Sequence, residues 1–228
     1  MAIFQTIRQE STRHKVYVAI REAILSGRLR TGERITELQL TRELNISRAI
    51  IREALQQLAH EGLVEQNAYK GTRIVCLSPE QVDELFSLRI LLEGEAIRQA
   101  KVHLQEGDRE VLHAMLSRLE DATTDGDLYA KLDLSLHSKI WELSRNRTLE
   151  KLLMQVTAPL FAMGGIVRRA SLRGIQRAHA DHTVVVSALC DGTADEAAEA
   201  IRAHIAQNRE QVRANFKLFV ETKRDAAP

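Results

Sequence analysis

Three amphipathic helical patterns followed by two short extended runs fill the first 76 residues, and this order constrains the fold more than any other feature. The helical patterns extend from Ser11 to about Ser26, from Thr36 to Asn45 and from Ser47 to Gly62. The extended runs, Leu63–Gln66 and Thr72–Cys76, flank the turn-like segment NAYKG. Three helices and a small β-hairpin in this order predict a winged helix-turn-helix.

The remainder of the chain shows helical periodicity throughout and no strand pattern. It opens with Ser78, Pro79 and Gln81, the residue types of a capped helix start with Pro at the first helical position. Helix breaks are predicted near Gly107, Gly126, Asn146, Gly164-Gly165, Gly174 and Gly192. We therefore expect a mainly α protein, with the winged helix-turn-helix in residues 1–76 and an all-α antiparallel bundle of six or seven helices in residues 77–228.

Charge and hydropathy limit the possible classes of function. Residues 1–76 carry 12 Lys and Arg against 8 Asp and Glu, whereas the remainder carries 20 against 23, so the first part is better suited to contact phosphates. No apolar run approaches the roughly 18–20 residues that cross a bilayer, and the first residues lack the apolar core of a secretory signal. We expect a cytoplasmic protein with no membrane partner. Cys76 and Cys190 are expected to be ordinary buried thiols.

The third helical pattern carries the residues expected to contact double-stranded DNA, because the second helix of a helix-turn-helix lies in the major groove. Arg48 and Arg52 lie four residues apart on one face, and a guanidinium can pair with guanine or phosphate through two hydrogen bonds. Ser47 and the helix N-terminus can bind a phosphate. The wing adds three further candidates, Lys70, Gly71 and Arg73.

A second group of polar residues falls on the apolar, inward faces of helices in the C-terminal part. Asp133 and His137 share one such face, and His182 and His204 lie on two others. A buried carboxylate costs free energy without a cation, and one Asp with three His suits zinc, nickel, manganese or iron. We predict a divalent transition metal, with zinc preferred. The alternative is that each His is an ordinary hydrogen-bonded core residue.

The segment from Ala23 to Val75 resembles the winged helix of the GntR family of bacterial transcription regulators. The resemblance rests on Ile-Leu-Ser-Gly, Gly-Glu-Arg-Ile, Ser-Arg-x-x-x-Arg-Glu-Ala-Leu and Glu-Gly-Leu-Val, which follow one another within this segment. It implies that Ser47, Arg48 and Arg52 contact DNA and that Gly71 is the wing glycine. Ala49-Ile50 stand where many relatives have Thr-Pro, so the resemblance does not extend to the operator sequence.

The C-terminal part resembles the FadR-type ligand-binding domain, or FCD domain, of the same family. Asp133-x-x-x-His137, His182 and His204 match the positions that hold the ion in metal-containing members, and the resemblance implies that these residues are ligands. Arg89 matches the family pattern loosely, and we expect it to pair with an effector carboxylate, the alternative being a surface helix charge. Asn146 could contact the effector or cap a helix.

Together these patterns predict a transcriptional regulator and not an enzyme. The resemblance implies a homodimeric repressor, which a small organic acid bound near the metal releases from a palindromic operator. Three alternatives stay open: the ion itself is the signal, the ion is purely structural, or the centre is a metal-dependent hydrolase. Against the hydrolase, the sequence places no spare acid or base beside the expected ligands.

Overall fold

The computed structural model describes residues 12–67, 71–168 and 172–224. Its N-terminal unit contains α1 (Thr12–Leu25), β1 (Arg34–Ile35), α2 (Glu37–Leu44), α3 (Arg48–His60), β2 (Val64–Asn67) and β3 (Gly71–Ile74). The predicted order of three helices and a hairpin is confirmed. The helices pack through one apolar stripe each, and the buried residues of α1 and α3 are Val16, Tyr17, Ile20, Ile24, Ile51, Ala54, Leu55 and Leu58.

Local signals set the ends of these helices as the sequence indicated. Gly27 follows α1 with a φ of 67°, and Asn45 ends α2 with a φ of 52°, both in the left-handed region. Thr36 caps α2 by accepting a hydrogen bond from the backbone N–H of Gln39 at 3.1 Å. Ser47 occupies the N-cap position of α3 but makes no capping hydrogen bond through its side chain.

The sheet has three antiparallel strands in the order β1-β3-β2, not the two strands that the sequence predicted. β1 pairs Arg34 with Arg73 of β3, and it is only two residues long, too short for an alternating pattern to show. Cys76, just beyond β3, is exposed, so the expectation of a buried thiol holds for Cys190 alone.

The helical bundle contains six helices within the described residues: α4 (Pro79–His103), α5 (Glu106–Asp121), α6 (Gly126–Leu143), α7 (Arg147–Arg168), α8 (Leu172–Asp191) and α9 (Ala194–Arg224). Ser78 and Gln81 form the expected capping box at the start of α4. The break predicted at Gly164-Gly165 is wrong, because both glycines lie inside α7. A glycine in a helix costs only about 1 kcal/mol, which packing elsewhere along the helix can offset.

α4 is the central helix of the bundle, and it packs most extensively against α9 and also against α6 and α7. The N-terminal unit rests on the outer side of α6 and α7. Lys131 Nζ of α6 lies 2.5 Å from Glu22 Oε1 of α1. Gly62, with a φ of 72°, approaches α7 so closely that a side-chain Cβ there would lie 3.1 Å from Pro159 Cγ.

Candidate metal centre and DNA-binding surface

The exposed side of α3 carries the residues predicted to contact DNA. Ser47, Arg48 and Arg52 are all exposed, while the opposite side of the helix is buried in the core of the N-terminal unit. Arg52 is held by Glu37 of α2: its Nε and Nη2 donate to the two carboxylate oxygens, each over 2.9 Å. The hydrogen bond from Arg52 lowers the pKa of Glu37, so this carboxyl is ionised near neutral pH.

The wing places Gly71 and Arg73 on β3, both exposed, and Lys70 lies outside the described residues. Gly71 has a φ of 78°, a conformation that favours glycine. Arg73 Nη1 donates to the carbonyl oxygen of Gly32 at 3.1 Å, which ties this side chain to the loop before β1.

The three histidines predicted as ligands meet in the core of the helical bundle. His137 of α6, His182 of α8 and His204 of α9 each offer a ring nitrogen, and these nitrogens lie within 4.8 Å of one another. The three side chains are almost completely buried. Imidazole nitrogens gathered at this spacing form a donor set for zinc and similar ions.

Two of the histidines are oriented by oxygen atoms at their Nδ1 positions. His137 Nδ1 lies 2.6 Å from Glu93 Oε2, and His182 Nδ1 lies 3.1 Å from the hydroxyl of Tyr129. Their Nε2 atoms face each other at 3.4 Å. Metal-binding histidines commonly have the second ring nitrogen fixed in this way, which sets the ring orientation and leaves the first nitrogen for the ion.

His204 provides the test of whether these residues fit a metal. Neither of its ring nitrogens has a hydrogen-bond partner among the described residues, although the side chain is buried. Burial, together with the charges of His182 and His137, holds the pKa of His204 well below its ordinary value, so the ring is neutral and can bind a cation. Asp181 Oδ2 lies 3.7 Å from His204 Nδ1, too far for a hydrogen bond. A buried imidazole without hydrogen bonds costs free energy that a bound ion would offset, and the donor set therefore fits a metal.

Asp133 joins the same cluster. Its Oδ1 lies 3.2 Å from His182 Nε2 and 3.4 Å from His137 Nε2, and its side chain is buried. The structure thus brings together all four residues that the sequence predicted as ligands, from three different helices.

Arg89 is buried beside the cluster, so the alternative of a surface helix charge is wrong. Its Nε donates to Glu93 Oε1 at 2.5 Å, and its Nη2 lies 3.1 Å from His137 Nε2. The ring of Phe161 lies below the guanidinium, with 5.2 Å between Cζ and the ring centroid. Burial raises the pKa of Glu93, but Arg89 and His137 outweigh it and lower the value to about 2.

Asn146 occupies the capping position before α7. Its side-chain oxygen accepts from the backbone N–H of Leu149 at 3.1 Å, and its amide group donates to Gln99 at 3.2 Å. Both ends of the side chain are therefore engaged away from the histidines, which favours the capping role over contact with an effector.

Sequence patterns missed two residues of the site, Glu93 and Tyr129. Glu93 stands four residues after Arg89 and so shares its helix face, a spacing that could have indicated a buried ion pair. Tyr129 lies on the buried face of α6, and periodicity does not show which partner its hydroxyl contacts.

Comparison with known families defines the class of this protein. The family model "Bacterial regulatory proteins, gntR family" matches residues 12–74, and the model "FCD domain" matches residues 84–207, more than half of the chain. The chain belongs to the GntR family of transcriptional regulators with an FCD domain, a DNA-binding family and not a family of enzymes. FCD domains are associated with metal binding, and the three-histidine cluster lies within the matched range.

Individual relatives agree with this assignment. The chain is 30% identical over 192 residues to the Nta operon transcriptional regulator of Aminobacter aminovorans, covering 82% of this chain and 88% of that protein. It is 27% identical to the HTH-type transcriptional regulator LutR of Bacillus subtilis, over 80% of this chain and 92% of that one. The solved structure of E. coli McbR/YncC has the same fold, with a TM-score of 0.82 at 18% identity, covering 91% of this chain and all of that one.

The described residues contain no helix long and apolar enough to cross a membrane.

Proposed function

We propose that this protein is a homodimeric repressor that a small organic acid releases from a palindromic operator. Residues 1–76 bind DNA through Ser47, Arg48, Arg52, Lys70, Gly71 and Arg73. Residues 77–228 form the effector-binding and dimerisation domain, which holds a divalent metal, with zinc preferred, through Asp133, His137, His182 and His204. The protein acts in the cytoplasm in this proposal, because a repressor must reach bacterial DNA.

The observation that carries the proposal is a buried guanidinium next to a buried set of metal donors. Arg89 Nη2 lies 3.1 Å from His137 Nε2, so a ligand that reaches the cluster also reaches a cation. A carboxylate is the group that such a pair binds best, because a guanidinium donates two parallel hydrogen bonds to it. An ion held by these four residues would supply Lewis acidity to one effector oxygen. Arg89 orients the other oxygen and excludes neutral analogues.

α6 provides one connection from the effector site to the N-terminal unit. Its buried face carries Asp133 and His137, and Lys131, two residues before Asp133, binds Glu22 of α1. A small movement of α6 on ligand binding therefore reaches α1 directly. A cleft of about 730 Å³ lies between α1 and helices α5 to α7, and it leaves room for such a movement.

α7 provides a second connection. Phe161 packs below Arg89, and six residues earlier Gln155 donates to the carbonyl oxygen of His60 at the end of α3, over 3.1 Å. In a two-fold dimer the recognition helices must lie about 34–36 Å apart to bind two half-sites together. A shift of α6 and α7 that rotates either unit would break this spacing and release the operator.

Thermal unfolding of the metal-loaded protein with a panel of small carboxylic acids tests the effector. An acid present at 100 times its Kd is expected to stabilise the protein by about 2.7 kcal/mol, or to raise the Tm by roughly 5–10 °C. The matched amide of the same compound should not shift the Tm. The proposal fails if no carboxylate shifts the Tm, or if the acid and its amide act equally.

Three alternative roles of the metal predict different results when DNA binding, unfolding and turnover are measured on the same protein. If the ion itself is the signal, DNA binding follows free metal with no acid present. If the ion is only structural, chelation unfolds the bundle and no acid changes DNA binding. A hydrolase would turn over ester or phosphate substrates, whereas Glu93 beside the cluster is bound to both Arg89 and His137 and is therefore not free to act as an acid or base.

A further inference from the structure

Glu37 and Arg52 form an ion pair on the surface proposed to face DNA. Glu37 lies in the first turn of α2 and Arg52 at the start of the second turn of α3, and two hydrogen bonds of 2.9 Å join them. The pair is not buried, since 58% of the Arg52 side chain and 34% of the Glu37 side chain remain exposed. The guanidinium is thus held by the protein and still open to a ligand.

The geometry of the pair determines which edge of the guanidinium is left for DNA. Arg52 uses Nε and one hydrogen of Nη2 to bind the carboxylate. The remaining donors are Nη1 and the other hydrogen of Nη2, which point away from Glu37 in parallel. Two parallel N–H groups at this spacing match the O6 and N7 atoms of guanine, the commonest specific contact of arginine in the major groove.

The charge of the pair favours contact of Arg52 with a DNA base over contact with the DNA phosphates. The hydrogen bond from Arg52 keeps Glu37 ionised, and its negative charge opposes that of Arg52, so the attraction of this guanidinium to phosphates is reduced. The carboxylate itself also repels phosphate groups. Hydrogen-bonding capacity is retained, and hydrogen bonds to base edges are what distinguish one sequence from another.

We propose that Glu37 is a positioning residue that fixes Arg52 on one guanine in each half-site of the operator. The proposal rests on the proposed role of Arg52 in DNA contact. It goes beyond that role, because it assigns guanine as the base that Arg52 contacts and Glu37 as the residue that positions Arg52. Without Glu37, Arg52 is free to swing to a phosphate, and it then adds affinity for any sequence.

The test uses full-length protein and a pool of random DNA duplexes, from which bound sequences are recovered and counted. Glu37→Gln keeps the size of the side chain but loses the charge and one of the two bonds. We expect about a tenfold lower preference for one guanine in each half-site. We also expect log Kobs of the dimer to fall more steeply with log salt, by about 1.8, because the Arg52 of each of the two subunits gains a phosphate contact that contributes about 0.9.

Glu43→Gln is the matched control. It removes the same charge from the same helix, and Glu43 contacts Gln39 and not an arginine, through a hydrogen bond of 3.0 Å. The control should keep the guanine preference. Glu37→Asp is a second variant, whose shorter carboxylate cannot make both bonds. It should lose the preference while keeping the charge, which separates positioning from electrostatics.

Arg52→Lys distinguishes the two possible failures. If Arg52→Lys loses the preference for guanine and both Glu37 variants keep it, the positioning role of Glu37 is overturned and the DNA contact of Arg52 stands. If Arg52→Lys also keeps the preference, the proposed role of Arg52 itself is wrong. Equal Tm values of the variants and the parent protein show that neither result comes from unfolding.

Discussion

Arg89→Met is expected to lower the free energy of unfolding by about 3–5 kcal/mol, because it leaves Glu93 as a buried charge without its cation. Both side chains are only 1% exposed, so water cannot replace the lost partner. Burial opposes the ionised form of Glu93, but Arg89 and His137 hold its pKa at about 2, below the ordinary 4.5. The stabilising contribution of the pair is therefore present above pH 4.5 and is lost as the pH falls towards 2.

Urea unfolding of metal-free protein at neutral pH measures this effect. Arg98→Met is the control, since Arg98 lies on the same helix and binds Asp195 at the surface, where an ion pair contributes about 0–1 kcal/mol. The double variant Arg89→Met with Glu93→Leu should recover much of the lost stability, because it removes both charges together. A loss below about 1 kcal/mol for Arg89→Met alone would show that the pair is hydrated and not buried.

His182→Ala is expected to abolish metal binding, weakening the affinity by more than about 100-fold, because it removes one ring nitrogen of the cluster. The wild-type protein should hold about one ion per chain. His113→Ala is the control, because His113 is exposed on α5, outside the cluster. Elemental analysis and a competition titration with a coloured chelator measure both variants.

Tyr129→Phe extends the same test to the orientation of the ligand. It removes only the hydroxyl that lies 3.1 Å from His182 Nδ1, and we expect metal affinity to fall about 10–100-fold with the ion still bound at saturation. An unchanged affinity in Tyr129→Phe would mean that packing alone orients His182. Retention of the ion by His182→Ala would contradict the assignment of the cluster itself.

The parts of the fold that could be predicted are those in which local patterns and packing agree. α3 buries Ile51 and Leu58 on one side and exposes Arg48 and Arg52 on the other. This pattern can be seen from the sequence of the helix alone. The positions of the four candidate ligands were predictable for the same reason, since they are polar residues on apolar faces. Strand β1 was not, because its two residues acquire their structure only by pairing with β3.

The interactions around the metal centre could not be predicted because they join distant segments. Glu93 binds His137 across 44 residues of sequence, and no pattern within α4 or α6 shows that these side chains meet. The hydroxyl of Tyr129 and Nδ1 of His182 are likewise 53 residues apart. Such contacts depend on how α4, α6 and α8 pack, which periodicity leaves undetermined.

The most direct test of the proposed function is the affinity of the full-length protein for a labelled duplex recovered from the random pool. Fluorescence anisotropy would be measured with metal-free protein, with metal-loaded protein, and with metal-loaded protein plus the carboxylic acid that raises its Tm. We predict tight binding by the loaded protein and at least about tenfold weaker binding when the acid is added, with no effect of the acid on metal-free protein or on His182→Ala. An acid effect of equal size in all of these samples would contradict a metal-assisted sensor.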